Sequence, residues 1–283
     1  MLNIGLVLPD VLGTYGDDGN ALVLRQRARM RGFEAEIHPI RLGEPVPETL
    51  DIYTLGGGED TAQILAADHL ISDGGLTRAA NAGRPVFAIC AGLQVLGESF
   101  RASGRIIDGV GLLDATTAGM QDRAIGEVAS EPTRAGVTAD LTEPLTGFEN
   151  HLGATILGPS AQPLGTLTRG NGNADQTATA DLSDGSAQRT YEGAVQGSVI
   201  ATYMHGPALA RNPQLADLLL AQAMGVALAD LEPLEIPAVD RLRVERFNAS
   251  EPRAPRDRPK PVDNFARQPQ KPRVIHRLGR LPL

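Results

Sequence analysis

The sequence predicts an α/β fold, a three-layer sandwich with helices on both faces of a mostly parallel central sheet. Three observations carry this. Short apolar runs alternate with helix-spaced segments through the first hundred residues. Two of those runs, residues 51–55 and 85–89, end in small residues: Gly56-Gly57-Gly58 and Cys90-Ala91-Gly92. Such strand-to-helix turns put side chains at the carboxyl edge of a parallel sheet. The chain also has no Trp, 6 Phe and 4 Tyr. Its core must therefore be Leu, Val, Ile and Ala, as in a buried parallel sheet.

Taken in order, residues 2–8 read as a first strand, and residues 19–31 as a helix through Leu22, Leu24 and Met30, stopped at Gly32. Strands are expected at 34–40 and 51–55, helices at 60–67 and 76–82, the Cys90 strand after Arg84-Pro85, and a helix over 93–100. The next part is less regular, with short strands at 111–115, 124–128 and 164–167. Residues 191–195 and 199–203 read as a hairpin around Gln196-Gly197-Ser198, after a Gly/Asn/Asp/Ser-rich loop from 169 to 189. A helix over 213–227 follows, with Asn212 as N-cap and Pro213 at its first position.

Residues 1–240 thus form one domain, and composition shifts after Asp240. From Arg241 onward there are ten Arg, two Lys and seven Pro against four acids, a net charge of +8 against −16 for the rest. By composition this basic extension, 241–283, is extended or folds on a partner. The net charge of −8 argues against a general nucleic-acid binder. One cysteine excludes an internal disulfide and a cysteine-rich metal site. No apolar run nears the ~20 residues of a membrane span. The start is too short and lacks the basic flank of a signal peptide, so a cytoplasmic location is expected.

Cys90 has two readings. A lone Cys after an apolar run packs as a small buried hydrophobe. At a sharp turn between Ala88 and Gly92 it is instead presented as a nucleophile, with a helix amino terminus favouring the thiolate and the Ala91 N–H open to an oxyanion. His205, in Tyr203-Met204-His205-Gly206-Pro207, ends a later strand and is the candidate base. The loop at Gly57 is the second candidate oxyanion donor. It lacks the Lys-Ser/Thr of a P-loop and the full dinucleotide fingerprint. Tyr15-Gly16-Asp17-Asp18-Gly19-Asn20 reads as a turn with an N-cap carboxylate and not as a metal site.

These segments, with Arg123-Ala124-Ile125-Gly126-Glu127 and Gly147-Phe148-Glu149-Asn150-His151, occur in the order of a known family and cover about four-fifths of the chain. The sequence resembles the class I (triad-type) glutamine amidotransferases of flavodoxin-like fold, in the cobyric-acid-synthase-like branch. Its nearest likeness there is the GatD group, the glutaminase subunits of lipid II isoglutaminyl synthases. The resemblance implies hydrolysis of L-glutamine to glutamate and ammonia, with Cys90 as nucleophile, His205 as base and Arg123 on the glutamine α-carboxylate. Gln94 either lines the pocket or braces the turn. It also implies a MurT-like Mur-ligase partner, which holds ATP and Mg and brings lipid II; no cofactor is expected in this chain. The other readings are an amidotransferase for another carboxylate such as a corrinoid, a non-catalytic binding protein of the same fold, and a cysteine hydrolase on a related fold. The cobyric and cobyrinic enzymes usually carry an amino-terminal ATP-binding domain, which this sequence does not contain. Two departures stand out. Pro207 occupies the place, two after the His, where many relatives carry the orienting Glu, and Ala88 replaces a usual Gly.

Overall fold

The computed structural model describes residues 1–248. It opens with β1 (Leu2–Val7), α1 (Gly19–Met30), β2 (Ala35–Ile40), β3 (Ile52–Leu55), α2 (Asp60–Asp73), α3 (Gly75–Asn81), β4 (Val86–Ile89) and α4 (Ala91–Leu96). There follow β5 (Ser99–Ala102), β6 (Arg105–Asp108), β7 (Ala115–Pro132), β8 (Leu145–Leu157), β9 (Gly165–Arg169) and α5 (Gly185–Gln188). The described part closes with β10 (Tyr191–Glu192), β11 (Ala194–Gln196), β12 (Val199–Thr202), α6 (Ala208–Arg211), α7 (Pro213–Met224) and α8 (Pro237–Phe247).

The first sheet runs β11-β12-β4-β3-β1-β2 and is parallel except for β11, which makes a hairpin with β12. Every residue of β3 and β4 is buried, which is why both read as unbroken apolar runs rather than alternating ones. Helices α1, α6 and α7 pack together, as do α2, α3 and α4. Phe87, Ile89, Ile52 and Tyr53 are fully enclosed at the centre. Removing the Phe87 ring would cost about 3–5 kcal/mol, since the ring is fully enclosed and its loss leaves a cavity in the core. The order places β4 between β3 and β12, so their carboxyl ends, which lead into Cys90, the triple glycine and the His205 segment, share one edge.

A second sheet, β10-β9-β7-β5-β6 with β8 paired to β7, is anticipated in the sequence reading only by the strands expected at 124–128 and 164–167, which fall within β7 and on β9. The long strand β7 carries polar residues at both parities, and a register shift between Gly119 and Ala124 further breaks the pattern. The helix expected at 93–100 ends at Leu96. A Cβ on Gly97 would lie 2.7 Å from the Ala115 carbonyl, and the chain turns there into β5. The strand expected at 111–115 is a turn through Gly111 at φ 72°, with β7 beginning at Ala115. The hairpin splits at Gly193 (φ 67°), so Tyr191 and Glu192 pair with β9 instead. Asn212 does not cap α7 with its side chain; it is spent on the Thr146 N–H and carbonyl, tying α7 to β8.

Residues 241–247, assigned by composition to the tail, are helical. Pro237 starts α8, and Arg243 pairs with Glu143 while Arg246 reaches Glu127 at 3.6 Å. The rest of the expected extension lies outside the described residues. No described helix is long and apolar enough to cross a membrane.

Candidate active site

Cys90 sits between β4 and α4 with φ 52° and ψ −103°, a conformation an L-residue holds only when its surroundings enforce it. The enforcement is visible. Its N–H donates to the Thr202 carbonyl at 2.8 Å. Gly92, two residues on, packs so closely that a Cβ there would lie 3.2 Å from the Gly56 carbonyl and 3.3 Å from the Ala88 methyl. The sequence expectation of small flanking residues therefore holds, and the Ala88 methyl fits. Cys90 is 7 % exposed and lines a cleft of about 230 Å3. Ala91 opens α4, so its N–H has no intrahelical acceptor.

His205 lies beyond β12, where Gly206 turns the chain at φ 136°. Its backbone is clamped to β8: its N–H donates to the Phe148 carbonyl at 2.9 Å, and its carbonyl accepts from the Phe148 N–H at 3.2 Å. The ring is buried, and Nδ1 lies 3.0 Å from both carboxylate oxygens of Asp17. Because a carboxylate only accepts, Nδ1 carries the proton and Nε2 is the atom left for chemistry. Nε2 is buried with no closed hydrogen bond, and the Cys90 sulfur is its close electrostatic neighbour. Hydrogen bonds of this kind are often long before substrate arrives. Burial alone would lower the imidazolium, but Asp17 and the sulfur outweigh it and push His205 up to about 10.

Asp17 is the orienting acid that sequence reasoning missed. It is 2 % exposed and accepts the Gly57 N–H at 2.9 Å through Oδ2. Its segment reads in sequence as an N-cap turn; α1 has no side-chain cap bond, and the carboxylate points instead at the histidine. Pro207 explains why no acid is needed two residues after His205. A Cβ on Gly19 would strike Pro207 Cγ at 2.3 Å, so the loop carrying Asp17 packs directly on the His205 turn.

The same bond corrects the expected role of Gly57. Its N–H is committed to Asp17 and does not face the cleft as an oxyanion donor. Gly57 matters for its missing side chain: a Cβ would lie 3.1 Å from Asp17 Oδ2, 3.1 Å from His205 Cε1 and 3.6 Å from Cys90 Cβ. Gly58, the next residue, lines the cleft, and among the described residues its N–H has no protein acceptor. It is therefore the donor available beside Ala91.

Arg123 and Gln94 both line the cleft. Arg123 is exposed and its Nη1 donates to Asn150 Oδ1 at 3.1 Å, which aims one side of the guanidinium; among the described residues its remaining donors have no partner. Gln94 is buried, accepts from Gln63 Nε2 at 2.7 Å and donates to Tyr203 Oη at 3.1 Å, so it both walls the pocket and braces the turn. Tyr203 Oη continues to Thr155 at 2.6 Å, and Thr155 to Thr117 at 2.8 Å, a satisfied polar chain behind the cleft. Tyr15 stands at the mouth, its ring 5.1 Å from the His205 ring and its hydroxyl donating to Glu59 at 3.3 Å. His151 stacks on Tyr203 at 3.7 Å. Among the described residues no group of three or more His, Cys, Asp or Glu is placed to hold a metal ion.

A thiol, an imidazole oriented by a buried carboxylate, the N–H groups of Ala91 and Gly58 without a backbone acceptor, and an arginine lining the same cleft can support acyl transfer from a small substrate bearing a carboxylate. Residues 3–213 match the CobB/CobQ-like glutamine amidotransferase domain. The chain is 33 % identical over 227 residues to the lipid II isoglutaminyl synthase (glutamine-hydrolyzing) subunit GatD of Streptococcus pneumoniae, covering 79 % of this chain and 80 % of that protein. It is 32 % identical over 238 residues to the GatD of Staphylococcus aureus, covering 83 % and 89 %. Cobyric acid synthase of Sphingopyxis alaskensis is 30 % identical over 197 residues, 65 % of this chain but 34 % of that protein.

Proposed function

The chain belongs to the CobB/CobQ-like glutamine amidotransferase family, and from that premise we propose that it is the glutaminase subunit of a synthase that amidates lipid II. The observation that carries the chemistry is the buried Asp17–His205 pair meeting Cys90 over Gly57. The likeness to two GatD subunits across about four-fifths of the chain supports the acceptor.

In this mechanism Arg123 holds the α-carboxylate of L-glutamine and the side-chain carboxamide lies over Cys90. The thiolate attacks the amide carbon, and the Ala91 and Gly58 N–H groups hold the oxygen as it becomes an anion. The imidazolium of His205 protonates the leaving nitrogen, which departs as ammonia and leaves a thioester on Cys90. His205, now neutral, takes a proton from water, and hydroxide displaces the sulfur to give glutamate and restore the pair. Asp17 keeps the ring in one tautomer and stabilises its charge throughout.

The ammonia passes to a MurT-like ligase subunit, where ATP and Mg activate the D-glutamate α-carboxyl of lipid II, and D-isoglutamine results. The pair works in the cytoplasm, where glutamine and ATP are available. A second reading, amidation of a corrinoid carboxylate, draws on the cobyric acid synthase match, which spans about a third of that protein. Co-expression with a candidate ligase distinguishes them: ATP-dependent amidation of lipid II, with L-glutamine as nitrogen source, supports the first. Amidation of a corrinoid carboxylate and not of lipid II replaces it with the second.

A further inference from the structure

Glu192 is the one carboxylate of the described core with no exposure and no part in the chemistry above. Its Oε1 accepts from the Thr202 hydroxyl at 2.5 Å and from the Tyr203 N–H at 2.9 Å. Among the described residues Oε2 is buried with no partner, so the site uses one oxygen of the two. Thr202 is a junction. Its carbonyl receives the Cys90 N–H at 2.8 Å, its Oγ1 accepts the Met204 N–H at 3.0 Å, and it pairs with Ile89 where β12 meets β4.

Only Tyr203 and Met204 separate this junction from His205. The segment between them is pinned elsewhere only through side chains and the far end. Tyr203 Oη is held by Thr155 and Gln94, Met204 packs against Gly147 (where a Cβ would lie 2.3 Å from Met204 Cβ), and His205 is clamped to Phe148. We propose that Glu192 is a positioning residue for the hydrolysis: its Oε1 fixes the exit of β12, so that Thr202 holds the Cys90 turn and the same backbone delivers His205 to the sulfur. A strand end that frays here moves the nucleophile and its base independently, and catalysis is sensitive to displacements of that size. With the carboxylate removed, the Thr202 hydroxyl and the Tyr203 N–H are buried donors without an acceptor, which a relaxing backbone relieves.

The role needs an acceptor at Oε1 and not a negative charge. Glu192→Gln supplies that acceptor, whereas Glu192→Ala does not. The inference rests on the reading that Cys90 and His205 act together, and the test separates the two. Cys90 is the only cysteine in the sequence, so its alkylation by iodoacetamide in the full chain at pH 6.5 reports the Cys90–His205 pairing without any substrate. Glutamate release from L-glutamine is measured in parallel.

His205→Ala sets the floor of alkylation. Glu192→Ala is expected to fall towards it, at least about fivefold below wild type. Its kcat for glutamate release is expected to drop at least about tenfold, with KM within about twofold. Glu192→Gln is expected to stay within about threefold of wild type in both. Alkylation and kcat unchanged in Glu192→Ala overturn the proposal, as does an equal loss in Ala and Gln or a loss confined to KM. If wild type releases no glutamate yet alkylation depends on both His205 and Glu192, the positioning role stands and the glutaminase reading falls. If Glu192→Ala does not fold, Thr202→Val removes the hydroxyl and keeps the Tyr203 N–H bond. It is then expected to slow alkylation severalfold, and wild-type behaviour would overturn the proposal.

Discussion

Replacing Glu192 with Gln should change how stability depends on pH, in a direction the structure fixes. Burial first, with the Glu149 charge adding to it, raises this carboxyl from 4.5 to about 7, although the Thr202 and Tyr203 bonds oppose the shift. In the unfolded chain the group loses its proton near 4.5; in the folded chain it keeps it to about 7. Between those values the folded state binds the extra proton, so stability is greatest below 4.5 and falls as pH rises. The slope is about 1.4 kcal/mol per pH unit and levels off above 7, for a full loss of about 3 kcal/mol. The amide introduced by Glu192→Gln cannot titrate. It retains the acceptor for Thr202 and Tyr203 but puts an NH2 group where Oε2 has no partner, a cost of about 1–2 kcal/mol at every pH. The sequence pI of 5.2 makes low pH unfavourable for solubility, so the comparison belongs between pH 6 and 8.5. Over that interval the variant should gain about 1.4 kcal/mol on wild type, since all other groups titrate alike in both. Urea unfolding followed by far-ultraviolet circular dichroism measures this in a chain with no Trp. A difference between variant and wild type that is the same at both pH values, or that moves the other way, refutes the reasoning.

The site makes further predictions. Asp17→Asn removes the carboxylate that fixes the His205 tautomer, and kcat for glutamate release should fall about 10²–10⁴-fold with KM little changed. A loss expressed in KM would contradict the orienting role. Gly57→Ala places a methyl 3.1 Å from both Asp17 and His205; steady-state assays should show kcat reduced more than about tenfold, while a retained kcat would mean the three groups do not meet there. Arg123→Ala should raise KM for L-glutamine at least about tenfold, with a smaller effect on kcat, because a guanidinium–carboxylate pair is lost. An unchanged KM would remove Arg123 from the substrate site.

The part of the fold that positions the nucleophile was legible because its code is local. Buried parallel strands are short apolar runs, and the turns after them must be built of small residues, so 51–58 and 85–92 announce themselves. The second sheet was legible only in the fragments 124–128 and 164–167, for the opposite reason. Its strands β7 and β8 are long, carry polar residues at both parities and are broken by a register shift, so no window carries a clean period of two. Within the site, Cys90, His205 and Arg123 were singled out from type and place, and the structure brings Cys90 and His205 together and puts Arg123 on the cleft. Gly57 was correctly placed but given the wrong task, since nothing in a glycine triplet says which N–H faces the cleft and which is taken by a distant carboxylate. Asp17 was in view and misread. Its partner lies at the other end of the domain, and a loop carboxylate before a helix is an N-cap by every local rule. The available signal was Pro207: an acid absent from its usual place left three readings, an acid elsewhere in the chain, one from the partner, or a dyad. Glu192 left a fainter mark, one charged residue inside an otherwise apolar hairpin.

The most direct test of the account is glutamate release from L-glutamine by the purified full chain, with and without a co-purifying ligase subunit, for wild type and Cys90→Ala. The account predicts that wild type releases glutamate, that the partner does not abolish this, and that Cys90→Ala releases none. No release by wild type under either condition, or equal release by both proteins, would contradict it: Cys90 would then be a buried thiol and the cleft a binding site.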